Sequence, residues 1–595
     1  MSRLQGLAAL LLIVSTGFAP LDAAENFAAD PILKLSEIIV PAPLDLLPPE
    51  SWRYAELEGF EILSDESDRR TEQLVREFWR FNQALSIAWP GLQPRSVVPV
   101  SLIFCGRHNT FDAFVPAAAV GGDYDTGLAS LYLKDDERSA IVIDLASKVL
   151  NITDAAALDP ASARTGANME GFRVDHDQQL SREYVHFLLS RTQPRCPAWL
   201  EEGLAQLIMG MKFDRNSISF AKLEDPNQQS VEAHQASVVA KAERSLGSEG
   251  LPPPPSVPAE DRGFQATLQN ARIMGMDEMF AVARDSETAH KPLGSFWAKQ
   301  CYAFVHLCLY GRHPQRQKEF ITFLERGAEV PMSEALFEEC FKMSYRQMEI
   351  ELRNYINDAD YKSIEWKAPR GLPEPPRIDF REANPAEIGY IKGEALRIAG
   401  HSDLAEKTFV APYVRGERDP RLLASLGLSE LAAGRNARAE QFLSAATSAK
   451  VARPRAYLGL ARLKFDAGLA KPATRDQLSA GQVDGVLRPL FIARSQIPPL
   501  PEVYVLIAET WIHSAVKPTA DNLKVLIEGV RLFPRVSELL YPTAKLYANA
   551  GLTGTADSLA KQGLRFAEDE TTKSKFAALA ASLSSVVTPP GYSED

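Results

Sequence analysis

The chain has 595 residues, of which 45% are hydrophobic, 24% charged and 9% aromatic, and its formal net charge is −12. That length exceeds what one hydrophobic core serves, so several domains are expected, and the composition is that of a globular protein rather than a disordered or membrane one. An acidic balance without a long basic run argues against nucleic acid or an anionic membrane as partner, because either would repel the surface.

The amino terminus reads as a signal peptide over residues 1–24: Arg3 supplies the positive end, Leu7 to Val14 the apolar run, and Ala23 or Ala24 a small-residue cleavage site. The apolar run is shorter than the ~20 residues that cross a bilayer, and no later stretch reaches that length. An exported chain, periplasmic or extracellular, with no transmembrane segment after cleavage is the expectation, and an uncleaved amino-terminal anchor the alternative. The five cysteines, Cys105, Cys196, Cys301, Cys308 and Cys340, lack CxxC spacing and are expected mostly in the core.

A proline-rich segment occupies residues 25–50 and a first domain is expected over 51–360. Gly59 to Ser64 predicts a strand feeding a helix from Arg69 to Ile87, and Val98 to Cys105, Ala129 to Leu133 and Ala140 to Leu145 predict further strands of a small sheet. Apolar spacing turns helical from Gln179 to Leu189, and Pro197 opens a second helix through Trp199 to Met209. Residues 247–262, with four consecutive prolines, read as an extended insertion. Helical periodicity resumes at Phe296 to Tyr310, Gln315 to Glu325 and Ala335 to Ile356, and residues 361–384 are expected to be a linker.

Over residues 385–590 a repeat appears: a small residue, a glycine seven positions on and an alanine five beyond that. Gly393, Gly400 and Ala405 form one set, Gly427, Gly434 and Ala439 a second, Ala461, Gly468 and Ala473 a third, and Ala544, Gly551 and Ala556 another. These spacings predict TPR-like helix-turn-helix units, the small residues allowing close helix approach and the middle glycine a tight turn. Val503 to Pro534 reads as a weaker unit, and Asp476 to Pro501 is expected to break the register.

The chemistry lies in Arg182-Glu183-Tyr184-Val185-His186, one residue away from HExxH, in which two imidazoles four apart on a helix present nitrogens to zinc. Sixteen residues beyond His186, Glu202 stands within Trp199-Leu200-Glu201-Glu202-Gly203-Leu204-Ala205, where a second helix could bring a carboxylate to the same point. Pro197, Trp199, Leu200, Glu202, Gly203, Leu204 and Ala205 match the second motif of the exported peptidase MA-like gluzincins, which this chain resembles over roughly residues 50–360. The resemblance implies an α+β gluzincin-like domain, a small mixed sheet over a helical subdomain, followed by an all-α TPR-like solenoid. It maps Glu183 onto the general base, His186 and Glu202 onto two zinc ligands, and the first histidine ligand onto Arg182.

Arginine cannot replace that histidine: its guanidinium stays protonated, has no lone pair to give, and adds positive charge beside a dication. Zinc, if bound, is expected to be held weakly. Arg182 is expected to pair with Glu202 or Glu183 as a tethered cation; alternatively His176, or its neighbour Asp175 or Asp177, supplies a substitute ligand. His306 and Tyr302 read as packed core residues, and Gly121-Gly122-Asp123 as a turn. Two functions follow: a metallopeptidase-like protein, catalytically impaired or active through a substitute ligand, that holds polypeptide in its cleft; or an interaction scaffold in which the TPR-like surface binds a protein partner.

Overall fold

The computed structural model describes mainly residues 46–92, 97–116, 129–146, 149–150, 172–173, 176–192, 195–220, 272–284, 286–290, 296–357, 364–367, 371–470, 477–567 and 569–586. The signal peptide, most of the proline-rich segment, Gly121 to Asp123, Asp175, residues 247–262 and Ala473 lie outside the described residues.

Strands β1 (Arg53–Leu57) and β2 (Phe60–Ser64) form a hairpin that turns through Gly59, whose φ of 80° suits a residue without Cβ. Helix α1 (Asp68–Ala88) follows because Leu74, Val75, Phe78, Phe81 and Leu85 recur at helical spacing and are buried on one side; it stops at Trp89, before Pro90. Then come β3 (Val100–Cys105), β4 (Ser130–Lys134), β5 (Ser139–Asp144), α2 (His176–Ser190), α3 (Ala198–Met209), β6 (Lys212–Phe213) and β7 (Ser217–Phe220). A helical part comprises α4 (Phe296–Tyr310), α5 (Arg316–Glu329), α6 (Glu334–Phe341) and α7 (Tyr345–Asn357). The helix expected over Ala335 to Ile356 is thus two, because Lys342 adopts a left-handed φ of 59° that caps α6. The segment read as a linker contributes β8 (Ile364–Lys367), paired with β7, and β9 (Arg381–Glu382), paired with β1.

The carboxyl-terminal part is an array of TPR-like helix pairs: α8 (Pro385–Ile398) with α9 (Ser402–Val414), α10 (Pro420–Ala432) with α11 (Asn436–Ser448), and α12 (Pro454–Leu469) with α13 (Ala480–Ser495). It continues through α14 (Pro501–Ile512), α15 (Ala520–Leu532), α16 (Ser537–Asn549), α17 (Thr553–Phe566) and α18 (Glu570–Val586). The turn glycines Gly400, Gly434 and Gly551 have φ of 88°, 71° and 78°, and a Cβ on Gly393 would stand 2.3 Å from the Phe409 ring. Gly468 differs, lying inside α12 against Leu478. The register is not broken after Asp476: α13 packs on α12 as its pair, delayed by a longer connection.

The mixed six-stranded sheet has the order β9-β1-β2-β3-β5-β4, parallel at β2-β3 and β3-β5 and antiparallel elsewhere. Alternate residues face opposite sides. Ile62, Leu102, Phe104, Ile141 and Ile143 pack in the core containing α1, α2, α3 and α4, whereas Leu63, Ile103, Leu133 and Val142 share a core with Tyr390 and Ile391 of α8 and the rest of the array. The array is therefore mounted on the sheet rather than tethered beside it, and each buried apolar side chain on that face stabilises the junction by about 1.5–3 kcal/mol.

Candidate functional site

Helices α2 and α3 pack against each other beneath β4, and α3 in turn packs on α4. The α3–α4 approach is close because position 203 is glycine: a Cβ there would come within 2.6 Å of Val305 Cγ2 and 2.8 Å of the Cys301 carbonyl oxygen. Trp199 is buried among Phe280, Phe304 and Phe320, and Tyr184 among Phe60, Phe78 and Phe187, which fixes the rotation of both helices. Arg182, Glu183, His186 and Glu202 remain half-buried on this framework.

Glu183 Oε1 lies 2.8 Å from Ser130 Oγ on β4, and Gln179 Oε1 lies 2.8 Å from the same hydroxyl. One hydroxyl proton serves one acceptor at a time, so Glu183 is oriented toward β4 through Ser130 with Gln179 beside it. Glu202 accepts a hydrogen bond from Gln206 Nε2 at 2.9 Å, one turn on along α3. The expected pairing of Arg182 does not form: among the described residues no ion pair joins it to Glu183 or Glu202. His176 begins α2 and its Nε2 lies 3.0 Å from the Asp144 carbonyl oxygen. Ten residues of helix place it about 15 Å along the axis from His186, so the structure does not bring these two together.

His186 and Glu202 offer two ligands, the third position carries a guanidinium, and among the described residues no three His, Cys, Asp or Glu side chains converge as metal ligands. These residues do not fit a catalytic zinc with three protein ligands.

His306 is fully buried with Nδ1 2.6 Å from the Tyr355 hydroxyl, and Tyr302 packs edge-on against it, so both are core residues. All five cysteines are unpaired, four buried and Cys196 half-buried.

Ser130, Gln179 and a cationic group around Lys134 were not legible in the sequence. Burial, and after it the proximity of Arg195, push the Lys134 ammonium down to about 8, with Glu201 opposing. Arg284 Nη2 donates to Glu201 at 2.8 Å and to the Cys196 carbonyl at 2.6 Å, and Arg191 Nη2 donates to Ser139 Oγ at 2.9 Å. The signal for this group was four basic residues in separate segments, which only the fold assembles.

No family model matches this chain, and no curated protein matches it. Among solved structures, a thermophilic TPR protein of Thermus thermophilus is similar at 17% identity and a TM-score of 0.25, over 33% of this chain and 99% of that one.

Proposed function

We propose that this protein is an exported interaction scaffold, in which a TPR-like array binds a protein partner and the peptidase MA-like domain serves as a platform whose zinc motif has lost a ligand to Arg182. One observation carries the reading. Helix α8 packs on β4 and shares a core with the sheet, whereas the array's exposed large apolar side chains, Val414, Ile492, Val516, Leu552 and Leu564, all lie on second helices or in loops leading to them. Stacked pairs with one side turned inward present the other as an extended surface. Export is supported by the charged, apolar and small-residue order of residues 1–24.

A photo-crosslinking residue at Ile492 or Leu564 is expected to capture a protein partner, and one at Ser130 is not. Capture from Ser130 alone would count against the scaffold. The second reading, a zinc-dependent peptidase in which a substitute ligand completes the site beside His186 and Glu202 with Glu183 as general base, has in its support the packing of α2 on α3. One zinc per purified chain, together with casein turnover abolished by Glu183→Gln, would replace the scaffold by that reading.

A further inference from the structure

The turn joining β4 to β5 is Asp135-Asp136-Glu137-Arg138, and each of its three carboxylates meets a different arginine of the array. Asp135 pairs with Arg397 of α8. Asp136 lies 2.9 Å from Arg455 Nη2 of α12. Glu137 accepts from Arg453 Nε at 3.1 Å and from the Arg455 backbone N–H at 2.6 Å, so both of its oxygens are used at the start of α12. Asp135 Oδ1 is already occupied within the turn, accepting from the N–H groups of Glu137 at 2.8 Å and Arg138 at 2.6 Å; its other oxygen faces Arg397. The turn thus holds Asp135 and Glu137 through both oxygens, while the Asp136 side chain is 67% exposed.

The arginines are oriented by the array itself. Arg453 Nη1 donates to Ser425 Oγ of α10 at 2.6 Å, and its Nη2 lies 2.7 Å from Glu394 Oε1 of α8. Arg397 Nε donates to Glu394 at 2.8 Å. Three guanidiniums with two array carboxylates, Glu394 and, 3.3 Å from Arg455, Glu502, still leave net positive charge in a groove whose side chains are held before any ligand arrives, which lowers the entropic cost of capturing an anion. The Glu137 and Arg453 side chains are 0% and 2% exposed, so the contact is desolvated and not a rim pair.

We propose that the groove formed by α8, α10 and the start of α12 is a receptor for an acidic peptide segment, and that its resident is this chain's own turn Asp135–Glu137. A partner bearing a similar acidic segment gains the groove by displacing the turn. This deepens the scaffold reading above and rests on it. A tethered resident acts at an effective concentration on the order of millimolar, so an untethered acidic peptide competes poorly while the turn is intact. Displacement also reaches the candidate site, because β4 carries both the turn and Ser130, the hydroxyl beside Glu183.

The test uses the full chain and a fluorescein-labelled peptide copying residues 131–141, followed by anisotropy. A variant with Asp135→Asn, Asp136→Asn and Glu137→Gln is expected to bind it at least tenfold more tightly than the unmodified chain, with affinity falling as salt rises. Adding Arg397→Met, Arg453→Met and Glu394→Gln, which leaves no buried carboxylate unpaired, should abolish that binding in a chain that still unfolds cooperatively in urea. A folded triple variant that binds no tighter than the unmodified chain overturns the proposal, as does equal binding of a peptide with the three acids neutralised. Should the triple variant fail to fold, Asp135→Asn with Asp136→Asn keeps the Glu137 contact, and at least a threefold gain is expected. Hydrogen exchange gives a separate reading on the unmodified chain: amides 135–138 exchanging as slowly as those of β5 fit a held turn, and free exchange overturns it. Loss of this peptide binding with crosslinking from Ile492 intact would remove the receptor and leave the scaffold standing.

Discussion

Arg453→Met should be among the most damaging single changes in this chain, through charge and not volume. The guanidinium sits between Glu137 and Glu394, whose side chains are 0% and 2% exposed. Burial pushes the Glu394 carboxyl up, but Arg453, Arg397 and Arg138 outweigh that and hold it well below the usual carboxylate range. Removing Arg453 leaves Glu137 with one backbone N–H as its remaining array contact and Glu394 with Arg397 as its remaining ion-pair partner, beside Ser425 and the more distant Arg138. Breaking a buried pair in this way costs about 3–5 kcal/mol, whereas replacing both partners by neutral groups is often close to neutral. The single variant is therefore expected to lose about two to three and a half orders of magnitude in its folded-to-unfolded ratio, at 1.4 kcal/mol per decade. Arg453→Met with Glu137→Gln should recover at least about half of that loss. Urea unfolding followed by tryptophan fluorescence suits the measurement, since urea is uncharged and Trp52 lies in the core shared by sheet and array. A loss below about 1 kcal/mol, or a double variant no more stable than the single one, would refute the reasoning.

Further outcomes can be measured directly. Arg182→His restores two imidazoles four apart on α2, and elemental analysis should then find one zinc per chain where the unmodified protein has little; no uptake would mean that α2 and α3 do not present His186 and Glu202 to a common point. Gly203→Ala should cost about 1–2 kcal/mol, because a clash of 2.6–2.8 Å against Val305 and a backbone carbonyl exceeds the gain in helix propensity. Gly485→Ala, in α13 with nothing within 4 Å, should instead stabilise by about 0.5–1 kcal/mol in thermal melts. Acylation of Lys134 should rise with pH around a midpoint near 8, below the 10.5 of an ordinary lysine. With the folded value depressed, the unfolded chain holds this proton longer, so the Lys134 contribution to stability is unfavourable below about 8 and improves as pH rises from 8 to 10.5. A labelling midpoint above 10 would contradict the burial that sets this shift.

Local elements were legible where one residue pattern decides them. The apolar spacing of α1, the β-branched runs of β3 and β5 and the glycine-marked turns of the array needed no distant partner to be read. Strand β1 escaped because Arg53 to Leu57 shows no clear alternation until β2 and β9 pair with it. The break at Lys342 escaped because no glycine or proline marks it. At the candidate site, spacing singles out Glu183, His186 and Glu202 as candidates, but Ser130 is 53 residues from Glu183 and signals nothing by itself. The mounting of array on sheet was invisible for the same reason on a larger scale. Arg453 and Glu137 are 316 residues apart, and each reads singly as an ordinary surface charge.

That separation also sets a clock for synthesis. The face of the sheet bearing Leu63 and Val142 is closed by α8, and Tyr390 reaches its hydrogen-bond partner Glu61 only 329 residues later in the chain. At about 5–20 residues per second, β2 waits on the order of 16–66 seconds for its cover, and β5 a shorter time. Until residue 390 and the helices behind it have emerged, that apolar face lacks its native cover, the condition under which incomplete chains are prone to aggregate.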